Sequence, residues 1–200
     1  LQNDKQKFKR ENFIMIGLKK GTVKLVPHQK EWNENAESII KLLKQLLGDT
    51  ALDIQHIGST SIFSIHAKPI IDIAVAVHDL KDIMPYVEVL RQHNILFHEE
   101  AVAGQVFFVI EDGDIRTHHI HIVRRNGTAW DNYINFRDYL NANLKKAMMY
   151  DDFKQKLAMQ FSDDRKSYTA GKQEIIARLL SEASIWRAKE IAKNHSLSGS

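Results

Sequence analysis

Cysteine is missing altogether, and proline (3) and glycine (9) are scarce in a chain of 200 residues. Without cysteine there is no disulfide framework, no thiolate metal site and no thiol nucleophile. With so little glycine and proline, collagen, low-complexity disorder and mucin-like stalks drop out. Long apolar runs are lacking too. Residues 69–77 and 101–110 are interrupted by Asp72 and Gln105, and both fall far short of the ~18 residues that a bilayer span requires. No membrane partner is expected. The first residues lack the apolar core of a signal peptide, so a cytoplasmic setting is the expectation. What is present is an ordinary apolar share of 44%, and at about 150 residues per domain the length argues for one domain with appendages.

Charge is uneven. Residues 1–30 hold eight lysines and arginines against Asp4 and Glu11, whereas the whole chain is +3, so the remainder is net −3. A basic arm can lie on a polyanion. Here it has only Phe8 and Phe13 as interleaved aromatics and no binding-motif spacing, so a solvated extension over residues 1–21 is expected and a nucleic-acid partner is not. Residues 22–193 read as a single domain and 194–200 as a polar tail.

Apolar residues Trp32, Ala36, Ile39, Ile40, Leu43 and Leu46 follow helical spacing, and Gly48 sits where a C-terminal cap belongs. Residues 52–57 read as a strand broken by the small-residue turn Gly58-Ser59-Thr60-Ser61. A second strand over 70–77 places Ile71, Ile73, Val75 and Val77 on one face and Asp72, Ala74 and Ala76 on the other. Helical spacing returns over 79–93, although Pro85 suggests a start near it. Residues 95–100, 105–110 and 116–123 read as strands, the last two joined at Asp112-Gly113-Asp114. Thr128 is placed to cap a helix carrying Trp130, Ile134 and Leu140, and further helices are predicted over 144–161 and 168–193. The outline is α/β (α+β), a mixed sheet with helices on both sides and a helical C-terminal half.

Small residues at Gly58 and Ser59 let backbone N–H groups approach an anion, and Asp72 on a neighbouring strand can hold a cation opposite it. The run His56-Ile57-Gly58-Ser59-Thr60-Ser61, with Lys68-Pro69-Ile70-Ile71-Asp72-Ile73, resembles the GrpB family, a branch of the polymerase-beta-like nucleotidyltransferase superfamily. Further matches are Arg116-Thr117-His118-His119-Ile120-His121, Phe136-Arg137-Asp138-Tyr139-Leu140, and Tyr168 with Lys172, together spanning about residues 22–183. The resemblance implies a nucleotidyltransferase-like fold in which Gly58, Ser59 and Thr60 hold phosphate and Asp72 binds a divalent metal (Mg, Mn or Zn). The wider superfamily places a second acid two residues after the first, and here that residue is Ala74. One Asp does not hold two Mg²⁺ ions.

Alternation puts His119 and His121 on one strand face, opposite His118, Ile120 and Ile122. With Asp72 they would make a two-His, one-carboxylate site suited to Mn²⁺, Fe²⁺ or Zn²⁺; otherwise the imidazoles serve as hydrogen-bonded structural groups or direct phosphate donors. Catalytic roles fall to Asp72 and His121. Lys68 and Arg137 can neutralise phosphate, though Lys68 can also pair with Asp72 and Arg137 with an acid. Tyr168 and Lys172 can close over a nucleotide, or stand as a core Tyr beside an exposed Lys. His56 can order the turn or sit in the core. A histidine-triad hydrolase is set aside because Val123 stands at its third histidine. A serine hydrolase is set aside because Gly58-Ser59-Thr60-Ser61-Ile62 lacks the nucleophile-elbow pattern. The expected partner is a nucleotide or phosphorylated small molecule. Two functions follow: nucleotidyl transfer to an acceptor the sequence does not name, or a non-catalytic binding module that lost its second acid.

Overall fold

Isoleucine, valine and alanine occupy both faces of residues 71–77, the composition of a strand covered on both sides, and in the computed structural model they form such a strand. The structure describes residues 16–98 and 104–198. In chain order its elements are β1 (Leu18–Lys19), α1 (Glu31–Leu47), β2 (Asp53–Ile57), β3 (Ile71–Val77), α2 (Val87–Gln92), β4 (Leu96–Phe97), β5 (Gln105–Asp112), β6 (Ile115–Arg124), α3 (Thr128–Ala142), α4 (Leu144–Gln160), α5 (Arg165–Gly171) and α6 (Gln173–Ser198). The strands join in the order β2-β3-β6-β5-β4, with β1 paired to the start of β6. Among the described residues only β3 and β6 run parallel; the other pairings are antiparallel.

Each sheet face buries a different helix. Ile71, Ile73, Val75, Val77, Ile120 and Ile122 pack against Trp32, Ala36, Leu43 and Leu47 of α1. That helix ends where Gly48 takes φ 51° and its N–H returns to the Lys44 carbonyl, a backbone turn that glycine makes without strain. On the other face Ile57, Ala74, Ala76 and Val123 lie under Trp130 of α3. The C-terminal helices have a core of their own, in which Tyr139, Leu140, Ala147, Tyr150 and Leu179 close over Ile62 and Ile65. A mixed sheet, helices on both faces and a helical C-terminal half are therefore all present.

Several expected boundaries move. Over 79–93 the chain first makes 3-10 turns at Leu80–Tyr86, started by an Asp79/Asp82 capping box, and becomes α-helical only after Pro85. The expected 168–193 helix is two helices, because the chain bends at Lys172 between α5 and α6. Of the strand expected at 95–100 only Leu96–Phe97 pairs, and positions 99 and 100 lie outside the described residues. Thr128 opens α3 as its first residue, and Gly127 holds the cap position. Part of the expected N-terminal extension belongs to the fold: Leu18 and Lys19 pair with Arg116 and Ile115, the Gly17 N–H donates to the Pro69 carbonyl at 2.6 Å, and Ile16 packs on the core. Residues 1–15 lie outside the described residues. The expected polar tail at 194–200 begins within α6, which runs to Ser198.

Candidate functional site

The parallel register of β3 and β6 sets Asp72 beside His119 and Ala74 beside His121. Because partners across a sheet share a face, the carboxylate and both imidazoles emerge together on the α3 side. The end of β2 delivers the turn: Ile57 pairs with Asp72, and Gly58 follows at φ 70°, ψ −171°. A Cβ at Gly58 would lie 2.4 Å from Asp72 Oδ2, so glycine is what lets the backbone close over the carboxylate. Ser61 Oγ donates to the Gly58 carbonyl at 2.7 Å and holds the turn tight. His56 points to the opposite face, where its Nε2 lies 2.9 Å from Thr60 Oγ1.

His119 Nδ1 donates to Asp72 Oδ1 at 2.8 Å, and its Nε2 accepts from Arg165 Nη2 at 3.2 Å. His121 Nε2 stands 3.8 Å from the same Asp72 oxygen. Burial alone would raise the Asp72 carboxyl; the hydrogen bond from His119 and the His121 ring 3.8 Å away outweigh it and hold it far below the usual carboxylate range. Burial lowers His119, and Asp72 opposes that. One ligand atom from each of Asp72, His119 and His121 falls within 4.8 Å of the others. One oxygen and two nitrogens fit a divalent metal, and more closely a transition ion than Mg²⁺.

Beside Asp72 lies a cavity of about 210 Å³ into which Lys68, Lys154, Arg165 and Lys172 all project, with Ser59 and Thr60 on its wall. Lys68 and Lys172 flank the Tyr168 ring, their Nζ atoms 5.5 and 4.6 Å from its centroid. Burial, joined by repulsion from Lys172 and Arg165, pulls Lys68 down to about 7. Lys154, 1% exposed, is drawn to about 7 by burial although Asp151 opposes it. Lys172 falls to about 8 through burial, with Asp72 opposing and Arg165 adding to it. These are cations crowded together out of water, an arrangement that an anion would relieve.

Asp151, 1% exposed, organises one wall. It accepts from the His66 N–H at 2.8 Å, lies 2.7 Å from His66 Nδ1, accepts from Gln155 Nε2 at 2.9 Å, and stands 3.7 Å from Lys154 Nζ. Lys154 donates to the His66 carbonyl. The loop that carries Lys68 into the cavity is thereby tied to α4.

Gly58, Ser59, Thr60, Lys68, Asp72, His119, His121, Tyr168 and Lys172 are brought together around this cleft. Arg137 is the exception and corrects the expectation of a phosphate contact. Its Nη1 donates to Gln55 Oε1 and to the His56 carbonyl, both at 2.9 Å, and its Nε to Asp138 at 2.8 Å, so the guanidinium binds α3 to β2 outside the cavity. Ala74 is fully buried beneath Trp130. Lys154 and Arg165 escaped sequence reasoning. Lys154 had a signal: it lies four residues after Tyr150 and seven after Ala147, on the buried face of α4, where a lysine requires a partner. Arg165, at the start of a seven-residue helix, had none.

The family model described as GrpB protein matches residues 22–182. "Glutamate-rich protein GrpB" of Alkalihalophilus pseudofirmus is 36% identical over 173 residues, covering 84% of this chain and 99% of that protein. "UPF0157 protein YqkA" of Bacillus subtilis is 32% identical over 169 residues; the alignment takes in 84% of this chain but spans about half, 49%, of YqkA. The crystal structure of conserved protein GrpB from Enterococcus faecalis superposes with a TM-score of 0.75 at 29% identity, over 82% of this chain and 99% of that one.

Proposed function

The chain belongs to the GrpB family, and we propose that its lysine-lined cavity binds the phosphates of a nucleotide or phosphorylated metabolite, with nucleotidyl transfer as the associated chemistry. One observation carries this reading: four cations, Lys68, Lys154, Arg165 and Lys172, converge with a single carboxylate, Asp72, on a cavity of about 210 Å³. Ser59, Thr60 and the turn at Gly58 supply neutral donors beside them, as phosphate recognition requires. In the metal-free cleft His121, whose Nδ1 lies 2.9 Å from Gln105 Oε1, offers Nε2 as a base for an acceptor hydroxyl. A divalent ion held by Asp72, His119 and His121 would take that nitrogen instead and would supply positive charge to a phosphoryl oxygen.

Isothermal titration of a nucleoside triphosphate in EDTA tests the binding reading. Lys68→Ala and Lys172→Ala should each weaken binding by about 1.5–3 kcal/mol, the worth of a charge-assisted contact. Unchanged affinity in both would remove the cavity from consideration.

A second reading, a binding module without turnover, is favoured by Ala74, whose burial under Trp130 leaves no second acid beside Asp72. Pyrophosphate release from triphosphate and candidate acceptors separates the two. The enzyme releases it in a manner abolished by Asp72→Asn, whereas the module shows only thermal stabilisation by ligand.

A further inference from the structure

The hydrogen bonds around His121 fix how its ring is turned. Its Nδ1 lies 2.9 Å from Gln105 Oε1, an oxygen that also accepts from Tyr133 OH at 3.0 Å. Tyr133 OH also stands 3.2 Å from His121 Nδ1, so that nitrogen is engaged on both sides and Nε2 is the one left to face the cleft. That Nε2 faces Asp72 Oδ1 across 3.8 Å. A ring nitrogen and a carboxylate oxygen at that separation are too far apart for a hydrogen bond and near enough to share one cation.

We propose that Gln105 and Tyr133 are positioning residues that set His121 for metal ligation, and that Asp72, His119 and His121 thereby take one d-block divalent ion, Zn²⁺ or Mn²⁺ in class, in preference to Mg²⁺. The inference deepens the reading above and rests on this cleft being the working site. Three further observations support it. The ligand atoms of the three residues all lie within 4.8 Å of one another, so a shift of some tenths of an ångström brings them within the ~4.2 Å that two ligands at about 2.1 Å from one ion can span. Two imidazoles per carboxylate is a donor set that Mg²⁺ takes reluctantly and zinc or manganese readily. The four cations of the neighbouring cavity also disfavour an ion held by charge alone, so nitrogen ligation has to provide the bond. Hydrogen-bonded partners of ligating histidines tune affinity in the way Gln105 and Tyr133 are placed to do.

Loading would change two contacts, both of His119. His119 now donates its Nδ1 hydrogen to Asp72 and accepts from Arg165 at Nε2. Were His119 to ligate an ion through Nδ1, its hydrogen bond to Asp72 would be lost, its proton would sit on Nε2, and Arg165 would have to give up its contact.

The test uses metal alone, without nucleotide, on full-length protein stripped with EDTA. Zn²⁺, Mn²⁺ and Mg²⁺ are titrated separately by calorimetry, with bound metal counted by mass spectrometry and Mn²⁺ followed by electron paramagnetic resonance. One Zn²⁺ per chain is expected, not displaced by an excess of about 100-fold Mg²⁺. Asp72→Asn and His121→Gln should each weaken it at least about tenfold, and Gln105→Leu by about 10- to 100-fold. Metal-free melting of each variant confirms that it is folded. Zn²⁺ held equally by parent and His121→Gln, or displaced by equimolar Mg²⁺, overturns the proposal; Gln105→Leu binding like the parent overturns the positioning role. The triphosphate titration in EDTA reports on the cavity independently, so failure of one reading is distinguishable from failure of the other.

Discussion

Gly58 leaves no room for a side chain. Its φ of 70° and ψ of −171° lie in a region essentially reserved for glycine, and the Asp72 Cβ and Cγ would each lie 2.9 Å from an added methyl group. Gly58→Ala should therefore cost about 1–3 kcal/mol through backbone strain and push Asp72 off its histidines. Chemical denaturation reads the first effect and Zn²⁺ titration the second; a variant with parental stability and binding would show that the turn does not govern Asp72. The same scale shows what a sequence can reveal of a site. Asp72, His119 and His121 stood out because strand alternation assigns faces and because a lone acid within an apolar strand is conspicuous. Arg137 and Lys154 did not sort correctly because a charge among apolar neighbours announces only that a partner exists. Gln55 Oε1 and the His56 carbonyl satisfy Arg137, while the cavity, with Asp151 alongside, receives Lys154.

Arg137 belongs to the scale of elements, for it is a tie between α3, β2 and α6. Asp138 receives Arg137 and also Arg187 from α6. Removing the guanidinium in Arg137→Met leaves the Gln55 and His56 oxygens without a donor, and an orphaned buried acceptor costs about 1–3 kcal/mol. The expected outcome is a lower melting temperature with triphosphate affinity unchanged. A loss of affinity at full stability would return Arg137 to the phosphates. Elements were legible where a single period dominated, as in α1 and β3. They blurred where local chemistry broke the period: the Asp79/Asp82 capping box and Pro85 favour 3-10 turns, and the bend at Lys172 splits one apolar pattern into α5 and α6. The two residues of β1 were invisible because their pairing partner, β6, lies about a hundred positions away.

At the scale of the molecule, the sheet order was beyond sequence reasoning. The β3–β6 pairing that makes the site joins residues 47 positions apart, with β4 and β5 between them in the chain but outside them in the sheet. Contacts of that kind depend on the whole core rather than on a local pattern. The cation cluster it gathers has a consequence for the whole protein. Lys68 and Lys154 sit at about 7 and Lys172 at about 8, all below the ~10.4 of an unperturbed lysine. Between those values the unfolded chain holds protons that the folded one has shed, so this cluster makes stability rise with pH from about 7 upward. Below pH 7 all three are charged in both states, and the folded protein carries their full repulsion. His56 and His118, lowered to about 4 by burial, stay neutral through this window, and Asp72 stays ionised. A bound phosphate reverses the preference, since it favours the charged lysines; binding near pH 8 must then take up protons, and affinity must fall as pH climbs through 7 to 8. The expected result between about pH 6 and pH 9 is a rising melting temperature for the free protein and a weakening triphosphate affinity in EDTA. Calorimetry in two buffers of different ionisation heat reads the proton uptake directly. Lys68→Met should flatten both curves, because it removes one of the three titrating cations. If affinity rises with pH, or if no protons are taken up on binding, the lysines are not what meets the phosphate.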